Sequence, residues 1–162
     1  MRRTTVWRSM MLGLLLSTSP VVWAQSNGNH LAIVVNTANT VEELSMEKLR
    51  RIFRGEEAEW DNQAKIEVVT RASGQPEQEA ALRNIYGMNQ SALNAYFLKA
   101  AFARTLKVKP KVLNTALGVR QLVAGVPGAI GIMRASEVDK SVKPLRINGR
   151  LPGEAGYELV LQ

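Results

Sequence analysis

VVTRASGQPEQEAALRNIYG, Val68 to Gly87, changes character twice within a short span. A β-branched apolar strand end, Val68 to Thr70, gives way to a loop holding Arg71, Ser73 and Gly74. Pro76 then opens an acidic-polar helix. Proline suits the first helical position, because the N–H it lacks would find no intrahelical partner there. Arg71, at the strand end, offers a planar fork of donors to an oxyanion. Ser73 or Gly74 serves as N-cap, and Gly74 lets a ligand approach the backbone closely. The first-turn N–H groups carry partial positive charge, so the turn reads as an anion cradle. A plainer reading of the same residues makes Ser73 a cap only and pairs Arg71 with a surface carboxylate, Glu77 or Glu79. The residues alone leave both readings open.

The neighbouring segments supply the frame. HLAIVVN contains a continuous apolar run from Leu31 to Val35 and reads as a buried strand. In LSMEKLRRIFRG, Ser45 is the expected N-cap, Leu44 and Leu49 the staple, and Gly55 the terminating glycine. Leu49, Ile52 and Phe53 form its apolar face. Trp60 sits in a loop as a packing residue, and a strand is expected over Ile66–Thr70. The helix after Pro76 turns Leu82, Ile85 and Tyr86 inward. A second helix begins at Ser91 and carries Leu93, Tyr96, Phe97, Ala100 and Ala101 as a core stripe. The basic residues around Pro110 read as solvated charge. A third helix spans Thr115–Ala124. GVPGAIGIM turns into a strand, VKPLRI is another, and YELVLQ a last one. Strands alternating with helices give an α/β sandwich.

The chain has 162 residues, a formal net charge of +7, one histidine and no cysteine. Its first stretch carries Arg2, Arg3 and Arg8, a short apolar run from Met10 to Leu16, and Val22-Trp23-Ala24 as a cleavage site. Residues 1–24 are therefore read as a secretory signal peptide and 25–162 as one mature domain. The apolar run falls short of the roughly 20 residues that span a bilayer. Three arginines leave with the leader, so the remaining positive charge is modest, and no aromatic-rich basic stripe suggests nucleic acid. With His30 alone near a polar start, neither a metal site nor Ser-His or Cys-His catalysis has its residues. No cofactor and no enzymatic activity are expected.

Several segments match one pattern in order. LAIVVNTANTVEELSMEKLRRIFRGEEAEW, VVTRASGQ, VPGAIGIMRASEV, VKPLRINGRLP and GYELVL resemble successive parts of phosphate-binding-protein-like (PstS-like) periplasmic substrate-binding domains. The resemblance spans nearly all of residues 25–162. It implies a single-lobe, type 2 periplasmic-binding-protein-like sandwich of a mixed sheet with flanking helices. It implies that Arg71, Ser73, Gly74 and Gln75 contact phosphate or a similar oxyanion. Gln75 stands where the family commonly has threonine, Ile132 where an aromatic follows AIG, and Glu158 where a proline is usual. The loop also lacks the extra acidic residue that would accept a proton from a protonated oxyanion.

Family members of full size clamp their ligand between two lobes, whereas residues 25–162 correspond to about one. The expectation is a periplasmic solute-binding protein of the phosphate ABC transporter type, working with a membrane transporter, with a second copy of the chain as one way to complete the cleft. The alternative is a non-transport accessory module that acts through contacts with other envelope proteins and binds ligand weakly or not at all.

Overall fold

The computed structural model describes residues 29–161; the expected signal peptide 1–24, and residues 25–28 and 162 of the expected domain, lie outside them. The described residues form seven strands: β1 Leu31–Asn36, β2 Glu43–Leu44, β3 Glu67–Arg71, β4 Lys111–Leu113, β5 Ala129–Arg134, β6 Val142–Pro144 and β7 Arg146–Ile147. The helices are α1 Met46–Phe53, α2 Pro76–Ala81, α3 Gln90–Phe102 and α4 Ala116–Gly125. Five strands form one mixed sheet in the order β4-β3-β5-β1-β6, while β2 and β7 pair in parallel beside it. β3 is parallel to both β4 and β5, and β1 runs antiparallel between β5 and β6.

Helices cover both faces of this sheet, so its central strands are apolar throughout rather than alternating. β1 is buried at every position. Leu31, Ile33 and Val35 point to one core with Leu49, Ile52, Phe53, Ile85 and Tyr86. Ala32 and Val34 point to the other, with Val119 and Val123 of α4. The twofold alternation of a strand produces this division. Full burial of each Leu, Ile or Phe contributes about 1.5–3 kcal/mol, which makes β1 the element that ties the two layers together.

The fold class expected from the sequence is the one observed. α1 has its Ser45 cap, donated to by Lys48 N, and ends at Gly55 with φ +72°. Trp60 is buried, and its Nε1 donates to Gly128 O at 2.9 Å. Gly128 is required by close approach: a Cβ there would lie 1.9 Å from Lys65 O.

Several details differ. α3 is capped by Asn89, whose side chain accepts from Ala92 N, rather than by Ser91. Its stripe is only partly core, with Leu93 and Ala100 buried, Tyr96 and Phe97 half-buried and Ala101 exposed. The VKPLRI strand divides at Leu145 into β6 and β7, which join different sheets. The last expected strand is a single bridge, His30 to Val160. The basic stretch around Pro110 leads into β4, the edge strand on β3. Past α2 the chain widens into a π-helical turn, Leu82–Tyr86, which Gly87 closes in the left-handed region.

Candidate functional site

Arg71 is the last residue of β3, the strand whose neighbours on both sides run parallel to it. In open α/β sheets ligands bind outside the carboxyl ends of such strands. Beyond Arg71 the chain is fastened to β4 by Ala72 N donating to Leu113 O at 3.0 Å. It then makes a tight turn, with Gln75 N donating to Ala72 O at 3.2 Å. Gly74 holds φ +80° at the third turn position, which glycine adopts without penalty. A Cβ built on Gly74 meets nothing within 4 Å, so the space over the turn is open. Ser73 and Gly74 are both exposed.

The N-cap of α2 is Gln75, not Ser73 or Gly74, and Pro76 takes the first helical position. Gln75 makes no side-chain cap bond. Its Oε1 instead accepts from Arg71 Nη2 at 3.2 Å. The carboxylate opposite Arg71 is Glu77, and it is not a surface group. Arg71 is 6% exposed and Glu77 2%. Arg71 Nε lies 3.5 Å from Glu77 Oε2, and Arg134 Nε lies 2.7 Å from Glu77 Oε1.

Burial alone would push the Glu77 carboxyl up. Its own backbone N–H and the guanidinium groups of Arg134 and Arg71 outweigh that and hold it below the usual carboxylate value, so it is ionised at neutral pH. Glu77 also sets a negative charge in the first turn of α2, so helix-end attraction for an outside ion is correspondingly reduced. The open positive charge belongs to the guanidinium pair. One carboxylate shared by Arg71 and Arg134 leaves a net positive charge, and Arg71 Nη1 is buried with no hydrogen-bond partner. Arg71 and Ser73 line a cleft of about 620 Å³ whose other wall includes α3.

Of the residues singled out in the sequence, Arg71, Ser73, Gly74 and Gln75 thus share one turn, with Arg71 inside it, Ser73 and Gly74 on its surface, and Gln75 orienting the guanidinium. The plainer sequence reading names Glu77 as a partner for Arg71, but as a surface group rather than a buried one, and does not name Arg134 at all. A signal for Glu77 existed: with Ala80 and Ala81 it forms an i, i+3, i+4 set facing inward, and all three are buried. Arg134 had none, because only the pairing of β5 with β3 brings it near.

No protein-family model matches the chain. Solved structures similar to it include an ABC-type phosphate transport receptor from Vibrio cholerae, at 26% identity and TM-score 0.59 over 76% of this chain and 48% of that one. PstS from Borrelia burgdorferi aligns at 17% identity and TM-score 0.61, covering 76% and 49%. A phosphate-binding protein from Stenotrophomonas maltophilia aligns at 17% and 0.57, covering 76% and 40%. The last two speak to the fold alone. The chain spans less than half the length of each of the three structures. The resemblance read from the sequence motifs is thus met in three dimensions: over three quarters of its length the chain has the fold of PstS-type phosphate-binding proteins. The structures it resembles are transport receptors and binding proteins rather than enzymes.

Proposed function

We propose that this chain is an exported solute-binding module that takes phosphate or a similar oxyanion at the β3–α2 turn. In this reading residues 1–24 direct export to the periplasm and are removed, and 25–162 form the binding domain. Arg71 Nη1 makes the principal charge-assisted contact, Ser73 and Gly74 contribute hydroxyl and backbone donors, and Gln75 fixes the guanidinium while its amide nitrogen faces the ion. The observation that carries the reading is the buried Arg71 guanidinium, which lines an open cleft at the carboxyl end of a parallel strand with one nitrogen unpartnered. A buried donor left unpaired costs about 1–3 kcal/mol, and a bound oxyanion would remove that cost. The likeness to phosphate transport receptors adds support, and on that likeness the module would work beside a membrane transporter, with a second lobe or a second copy of the chain closing the cleft.

Glu77 favours the second reading, an accessory envelope module with weak or no ligand binding. It already occupies Arg71 Nε and must be outcompeted or shared. Calorimetry with inorganic phosphate separates the two. The binding reading expects heat from the wild type at or below millimolar phosphate and its loss in Arg71→Ala. A folded wild type that gives no heat leaves the accessory role.

A further inference from the structure

The cleft over Arg71 is not shaped for a small, fully hydrated anion alone. Its volume, about 620 Å³, lies within the roughly 300–1,000 Å³ of clefts that take drug-sized molecules. Its wall is largely apolar, with Phe97 and Leu98 from α3, Leu106 beyond that helix, and Val112 from β4. Leu98 and Val112 are 62% and 61% exposed, large apolar side chains left open to water beside a buried charge. The polar residues of its floor hold unpartnered atoms of both kinds, each of them buried. Arg71 Nη1 is a donor without an acceptor, and Gln78 Oε1, on a residue 4% exposed, and Gln90 Oε1 are acceptors without a donor. All three residues line the same cleft.

Inorganic phosphate in such a place would turn charged oxygens toward Leu98 and Val112. They would lose water there and gain nothing in return. An anion that carries an apolar body would instead place its oxygens on the floor and cover the open side chains. We infer that the ligand of this cleft is an organic oxyanion, an acid head on an apolar body, held by Arg71 at the head and by Leu98 and Val112 along the body. The unpartnered acceptors of Gln78 and Gln90 further favour a head that also offers an O–H, as a singly protonated phosphonate does. This inference rests on the oxyanion reading of Arg71 and narrows it to a class of ligand.

Phosphate and phenylphosphonate share a head and differ in the body, so titrating the folded full chain with each by calorimetry tests the idea. Phenylphosphonate is expected to bind about tenfold or more tightly than phosphate, the scale of discrimination that apolar contacts give in a pocket. The double variant Leu98→Ser/Val112→Ser changes only exposed side chains. It should bring phenylphosphonate down to the phosphate level without weakening phosphate binding. Equal affinities in the wild type, or an advantage that survives the double variant, overturn the inference and leave the oxyanion site standing. Failure of both ligands to bind the folded protein removes the site and the inference together.

Discussion

Arg134 Nε donates to Glu77 Oε1 at 2.7 Å, joining the end of β5 to the first turn of α2. Arg71 approaches the other oxygen of the same carboxylate at 3.5 Å. Glu77 therefore works as an internal counter-ion for the site. It restrains Arg71, and it subtracts from the positive field that an anionic ligand would meet. Glu77→Gln removes that charge with little change in shape. Phosphate affinity is expected to rise about tenfold, because an anion no longer approaches a like charge. The same change should lower stability by about 2 kcal/mol, below the usual 3–5 for breaking a buried pair, since Arg134 is 38% exposed and keeps water. Calorimetry and urea unfolding measure the two effects, and unchanged or weaker phosphate binding would count against the counter-ion role.

The pH dependence of stability follows from the same group. Glu77 has its folded-state pKa held below the ordinary 4.5. The unfolded chain binds the proton more readily, so this contribution is fully present above pH 4.5 and is lost as pH falls through the lower folded value. Wild-type melting temperature should drop across that acid window. Glu77→Gln should drop less steeply there, and parallel curves would show that the carboxylate does not contribute.

Arg71→Lys keeps the charge opposite Glu77 but removes the planar fork, and with it the bond to Gln75 and the unpartnered Nη1. Lysine meets a carboxylate as a point charge and cannot reproduce a two-nitrogen contact. Phosphate affinity is expected to fall about tenfold, while stability falls by only about 1 kcal/mol. Arg71→Ala should cost about 3 kcal/mol, because it leaves the buried Glu77 with a single partner. Similar melting curves for the two variants would mean that the charge at position 71 does not support Glu77.

Gly128→Ala should be among the more damaging single-methyl changes in the chain. The added Cβ would sit 1.9 Å from Lys65 O, a backbone atom, and Gly128 O also receives the Trp60 indole. Either the Lys65 backbone leading into β3 or the turn before β5 must move, at a cost of about 1–3 kcal/mol. Far-UV circular dichroism during thermal melting reads the effect, and a shift of less than a degree would show that the turn has room to move.

The parts of the fold legible in sequence were those whose burial is set locally. Leu31–Val35 could only be a buried strand, and the Ser45 cap, the Ile52–Phe53 face and Gly55 together marked α1. β4 was hidden because an edge strand is short and tolerates lysine and proline, so Lys111–Leu113 resembled the charged loop around it. YELVLQ alternates like a strand but forms one bridge, since alternation shows what could pair and not whether a neighbour is present. At the site, Arg71 and its turn were visible because strand end, glycine and proline are adjacent in the chain. Glu77 was legible as a partner for Arg71 but not as a buried one, and its contact with Arg134 was hidden because it joins residues brought together only by the order of strands in the sheet.

That order has a consequence for how the molecule assembles. β1 is read out first, yet it lies between β5 and β6, whose residues follow roughly a hundred positions later, and such distant contacts slow folding. Neither core can close until the chain is almost complete. Early segments must wait with their oily side chains unprotected, so recovery from denaturant is expected to be slow and prone to clumping compared with helical proteins of the same size.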